Sequence, residues 1–190
     1  MMRYPSLVCL FAALGLLQGC VPVVAAGVGA GVVMTSSDRR TAGAIVEDDT
    51  IENKAQKRIE EKYKDTAHVS ITAYNRFALV TGSAASDDAK MDIERIVGSI
   101  PNVKGIANEL VVGNGAMSTS SSSDTRITGN VKYRFVKSPA FKADNVKVVT
   151  ENGVVYLMGL VTRAEADAAS DIASTTAGVQ KVVRVFEYID

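Results

Sequence analysis

The chain repeats itself, and that repeat limits what it can fold into. Ile51, Ala55 and Ile59 recur 76 residues later as Ile127, Val131 and Phe135. Val69, Ile71 and Gly82 recur 77 residues later as Val146, Val148 and Gly159. Val103, Ile106 and Leu110 recur 76 residues later as Val179, Val182 and Phe186. Three apolar sets in the same order at one offset describe a small unit used twice, not one large core. Asn114 to Ser123, a serine-rich run unable to build a core, is the expected linker between the units.

Each unit reads as αββαβ. A helix is expected after Asp48-Asp49-Thr50 and after Ser123-Asp124-Thr125, where short side-chain oxygens can cap free amides. Two strands follow, over 69–73 and 77–82 and again over 145–150 and 154–160. In the second unit Asn152-Gly153 lies between them, a strong signal for a two-residue hairpin turn that needs positive φ. That turn places Val148 opposite Leu157 and Val146 opposite Gly159, with Thr150 opposite Val155, all on the core side. A second helix starts at Ser86-Asp87-Asp88 and at Thr162-Arg163-Ala164-Glu165, the latter a capping-box pattern. Its buried side is expected to be Ala89, Ile93, Ile96, Val97 and Ile100, matched by Ala166, Ala169, Ile172 and Ala173. A last strand spans 103–112 and 179–189. The fold class is α+β, each unit a three-stranded mixed sheet packed against two helices.

The N-terminus has the layout of a lipoprotein signal. Arg3 precedes an apolar run from Leu7 to Leu17, closed by Leu16-Leu17-Gln18-Gly19-Cys20. The run is too short for a spanning helix, which needs roughly 20 apolar residues. Residues 1–19 are expected to be removed and Cys20 to carry acyl chains, palmitate among them. Cleavage removes Arg3 from an otherwise balanced 21 basic and 21 acidic residues, leaving one excess negative charge and no field to attract nucleic acid. Cys9 leaves with the signal, so no disulfide is available and the units must hold by ordinary cores. Residues 20–46 read as lipidated cysteine and flexible tether. As a coil, the stretch from Val21 to Glu47 spans roughly 30 Å. The glycines at 27, 29 and 31 follow no strand and are not read as a nucleotide loop. Val21, rather than Asp, after the cysteine favours sorting to the outer membrane.

The string Val-x-Val…Asn-Gly-Val-Val-x-Leu-x-Gly-x-Val, an Ala-rich helix and Gly-Val-x-x-Val resembles the BON domain. The second unit carries the pattern in full. The first keeps Val69, Ile71, Leu79, Val80 and Gly82, but has Tyr74-Asn75-Arg76-Phe77 where the turn glycine belongs. With the lipobox, the tether and the serine linker, the chain is similar to dual-BON lipoproteins of the Gram-negative outer membrane. The organisation is then signal 1–19, tether 20–46, BON domain 47–113, linker 114–123 and BON domain 124–190. The resemblance implies a non-enzymatic role in outer-membrane integrity, anionic phospholipid bound by the second domain, and enrichment at the division septum.

No catalytic constellation or cofactor site is visible. His68 is the only histidine and lacks the companions of a metal or acid–base site, so it reads as a surface residue. Asp48-Asp49 and Asp87-Asp88 read as helix-start acids that serve the dipole. The informative contrast is between the two first helices. Residues 51–64 mix bases with Glu52, Glu60 and Glu61, whereas residues 126–137 carry Arg126, Lys132, Arg134 and Lys137 without an acid. With Ile127, Val131 and Phe135 as the core stripe, Arg126, Gly129, Lys132, Tyr133, Val136 and Lys137 fall on the opposite side, Arg134 at its edge. Bases flanking an aromatic and an aliphatic suit an anionic lipid surface, the expected partner being phospholipid of the inner leaflet of the outer membrane. The competing reading is a periplasmic interaction module, with the sheets or the Asp87–Ile100 helix docking outer-membrane assembly or cell-wall proteins.

Overall fold

The computed structural model describes residues 38–113 and 121–190. The signal segment, Cys20, most of the tether and residues 114–120 of the linker lie outside the described residues. The first unit runs α1 (Ala42–Tyr63), β1 (Ala67–Tyr74), β2 (Phe77–Ala84), α2 (Asp87–Gly98), β3 (Gly105–Asn108) and a short β4 (Val111–Val112). The second runs α3 (Ser121–Lys137), a 3-10 turn (Ala143–Asn145), β5 (Val146–Glu151), β6 (Val154–Val161), α4 (Arg163–Ser174) and β7 (Lys181–Tyr188). In each sheet the hairpin is antiparallel and the last strand returns parallel to the second, giving orders β1-β2-β3 and β5-β6-β7. The expected αββαβ order and mixed sheets are therefore present. The last strand of the first unit is broken, with β3 and β4 both pairing β2.

The hairpin register of the second unit is the expected one: Val148 faces Leu157, Val146 faces Gly159 and Thr150 faces Val155. Gly82 and Gly159, matched in the repeat, share one physical reason. A side chain at either would strike the main-chain carbonyl of the neighbouring strand, that of His68 or Asn145. Each core gathers both helices over one sheet face. Ile51, Ala55, Ile59, Ile93 and Val97 fill the first, and Ile127, Val131, Phe135, Ala166 and Ala173 fill the second. Ser86 caps α2, with Asp87 and Asp88 in its first turn, and Thr162 with Glu165 forms the capping box of α4.

The starts of the first helices differ from expectation. α1 begins at Ala42, capped by Thr41, whose side chain accepts from the Ala44 amide at 3.1 Å. Asp48 is inside that helix and 2% exposed. Its carboxylate accepts the amides of Asn75 (2.8 Å) and Arg76 (2.6 Å), the two turn residues of the β1–β2 hairpin. Asp124, also inside its helix, accepts from Asn152 (2.8 Å) and Gly153 (2.9 Å) in the second hairpin. These acids hold hairpin turns rather than helix starts. The first turn forms without glycine, Asn75 at φ 50° and Arg76 at φ 69°, close to Asn152 at 50° and Gly153 at 76°. An L-residue with a long side chain resists that region. Asp48 supplies the compensating hydrogen bonds.

The sheet faces turned away from the helices are also buried, against each other. Tyr74 and Leu79 of the first unit pack with Tyr156, Met158 and Leu160 of the second in one apolar cluster. Polar links surround it. Arg39 donates to both carboxylate oxygens of Glu165 (2.6 and 2.8 Å) and to the Leu160 carbonyl (2.8 Å). Lys147 reaches Glu52 and the Ala73 carbonyl, each at 3.2 Å, and Asn75 donates to Glu187 at 2.6 Å. Arg40 pairs with Asp38 and Asp48 and lies 4.2 Å above the Tyr74 ring.

Candidate functional site

α3 presents two faces because its apolar residues recur at helical spacing. Ile127, Val131 and Phe135 are buried, Phe135 edge-on to Phe141 at 5.0 Å between ring centroids. Arg126, Gly129, Lys132, Tyr133, Val136 and Lys137 are exposed together on the other side. Tyr133 is 65% and Val136 71% exposed, the two most exposed large apolar side chains among the described residues. Arg126, Lys132 and Lys137 form no ion pair among the described residues. Lys137 leans over the Tyr133 ring at 5.6 Å. The one acid of the helix, Asp124, is 7% exposed and turned to the hairpin. Nothing lies within contact distance of a side chain added at Gly129, so the backbone there is open to whatever approaches.

Arg134 goes the other way. It donates to the Ile172 carbonyl (2.6 Å) and to the hydroxyls of Thr176 (2.7 Å) and Thr175 (3.0 Å), the last turn of α4. A cation at a helix C-terminus satisfies free carbonyls and the dipole. Its charge serves packing between helices, so the exposed basic face consists of Arg126, Lys132 and Lys137.

The segment before α1 is the part that sequence reasoning missed. A cavity of about 320 Å³ is lined by Lys132 and Val136 of α3 together with Arg40, Tyr74 and Lys147. The chain leading back toward Cys20 therefore joins the folded body beside the C-terminal half of the exposed face. Two arginines directly before the capping Thr41 were the available signal. Glu165, bonded to Arg39, has its carboxyl held below the usual range by that guanidinium, against partial burial.

His68 lies exposed in β1 and borders a polar cleft of about 410 Å³ with Ser70, Asp124, Thr128, Thr150 and Glu151. The Glu151 carboxyl is pushed up by burial and by Asp124, and pulled down by His68. Among the described residues no group of three or more His, Cys, Asp or Glu is placed to hold a metal ion, and no helix is long and apolar enough to cross a membrane.

Two tandem α+β units with this strand order define the class: the chain belongs to the BON family, whose domain model matches residues 47–114 and 123–190. Within that family it is 36% identical over 176 residues to outer membrane lipoprotein DolP of Haemophilus influenzae, covering 92% of this chain and 91% of the relative. It is 32% identical over 154 residues to the 21 kDa hemolysin of Actinobacillus pleuropneumoniae, covering 80% and 79%. Among solved structures it is similar to CdsD, a structural protein of the type III secretion system of Chlamydia trachomatis. That likeness has 12% identity and a TM-score of 0.31 over 76% of this chain and 92% of CdsD, and carries no argument.

Proposed function

We propose that this chain is a lipoprotein of the outer membrane that supports membrane integrity, at the division site among other places, by holding anionic phospholipid against the exposed face of α3. Acylated Cys20 supplies the anchor and the α3 face the recognition, a two-signal attachment. The observation that carries the reading is the pairing of exposed Tyr133 and Val136 with the bases Arg126, Lys132 and Lys137, which form no ion pair among the described residues. The bases meet headgroups while the tyrosine and valine enter the interface. The nearby Arg40 supports it too, because the anchored segment enters beside that face. The name of the Haemophilus relative supports the outer-membrane address.

Each basic side chain near an anionic surface contributes about 1 kcal/mol, so reversing Lys132 and Lys137 to glutamate should weaken binding by roughly tenfold or more. The test is co-sedimentation of residues 38–190 with phosphatidylglycerol vesicles. A fragment starting at Glu47 would remove the first turn of α1 and the Arg39 and Arg40 contacts. Wild type should pellet with the vesicles and lose binding as salt rises, the double variant should remain soluble, and both should melt at the same temperature. Equal pelleting of the two proteins defeats the proposal.

A further inference from the structure

The two sheets leave an apolar slot of about 430 Å³ between them, on the side of the outer strands β3 and β7. Its walls include Phe77 and Ala107 from the first unit and Val183, Val185 and Phe186 from the second. α3 contributes nothing to it, so lipid contact leaves it unexplained. Three features say what it accepts. First, β7 is eight residues long and has β6 on one side only. A free edge offers main-chain donors and acceptors that an extended chain can pair. Charged side chains commonly guard such an edge, but Arg184 is drawn to Asp167 of α4 at 2.6 Å.

Second, Val183 and Val185 belong to the apolar surface shared by the sheets. A strand laid beside β7 would send every second side chain into the slot. Third, the Tyr74 hydroxyl borders the slot, is buried, and closes no hydrogen bond among the described residues. A buried hydroxyl without a partner is rare and suits a polar group brought by a ligand. The mouth is mixed in charge, Lys104 with Glu109 and Glu187, which favours a main chain over the head of an anionic amphiphile.

We propose that β7 and this slot bind an extended peptide segment of a partner protein by strand addition, with alternate apolar residues of the segment seated between the two sheets. The test uses the full chain in phosphatidylcholine nanodiscs, which removes anionic lipid from the experiment. A library of random nine-residue peptides is panned against it, and enriched sequences are synthesised and titrated by fluorescence anisotropy. Enriched peptides should alternate apolar and polar residues. N-methylating one alternate set of their amides should raise Kd at least tenfold, while methylating the other set changes it little. Ala107→Trp, which fills the slot from the opposite sheet, should weaken binding by a similar factor. Three results overturn the proposal: no enrichment, equal Kd for the two methylated series, or peptides without alternation that palmitate displaces. The last would make the slot an acyl-chain site.

Discussion

Asp48 and Asp124 stand one repeat apart and do the same work, each fixing the hairpin turn of its own unit through both turn amides. A buried carboxylate that satisfies two amides leaves both unpaired when removed. Asp48→Ala should therefore cost about 2–4 kcal/mol, read as a shift in urea midpoint. Arg76 holds a left-handed conformation that glycine adopts freely, and its Nε is buried without a partner among the described residues. Arg76→Gly should stabilise the first unit by about 1 kcal/mol in the same titration. The second turn was legible because Asn152-Gly153 is a local signal. The first was not, because what holds Arg76 at positive φ is an aspartate 28 positions away. Asp48 also stood beside Asp49 and Thr50, a run that looks like a helix cap and disguised its long-range role.

At the scale of the element, α3 separates into what periodicity can and cannot reveal. The buried stripe Ile127, Val131 and Phe135 follows from 3.6-residue spacing, and so does the exposed set opposite it. The fate of Arg134 does not, since its acceptors lie about forty residues on, at the end of another helix. Arg134→Ala should lower stability by about 1–3 kcal/mol in thermal or urea melts while leaving vesicle binding of the folded protein unchanged. Gly129 gives the opposite contrast. Alanine there meets no neighbour and favours the helix by up to about 1 kcal/mol, so Gly129→Ala should raise the melting temperature.

For the whole molecule, the sequence revealed two units but not that their sheets meet. Tyr74, Leu79, Tyr156, Met158 and Leu160 alternate with core residues in strands buried on both faces, and continuous apolar runs do not say what covers the second face. Ion pairs across the junction make it sensitive to acid. Arg39 depresses the Glu165 carboxyl below its unfolded value, so that contribution is complete above the unfolded pKa, about 4.3, and is lost as pH falls through the lower folded value. Amide exchange around Tyr74 and Leu160 should accelerate on acidification below about pH 4.5, and Arg39→Gln should flatten that response.

The shared sheet face also bears on how such a chain can be cut or could have arisen. A single unit freed from its neighbour would carry Tyr156, Met158, Leu160, Val183 and Val185 into water as one continuous patch. Such a patch finds cover. Residues 121–190 expressed alone should run as a dimer by light scattering, and Met158→Lys should return them to monomer. The tandem arrangement then amounts to a homodimer joined end to end, in which duplication replaced a concentration-dependent encounter with a covalent one. Once the two copies no longer had to be identical, one was free to lose its acids along a single helix while the other kept them.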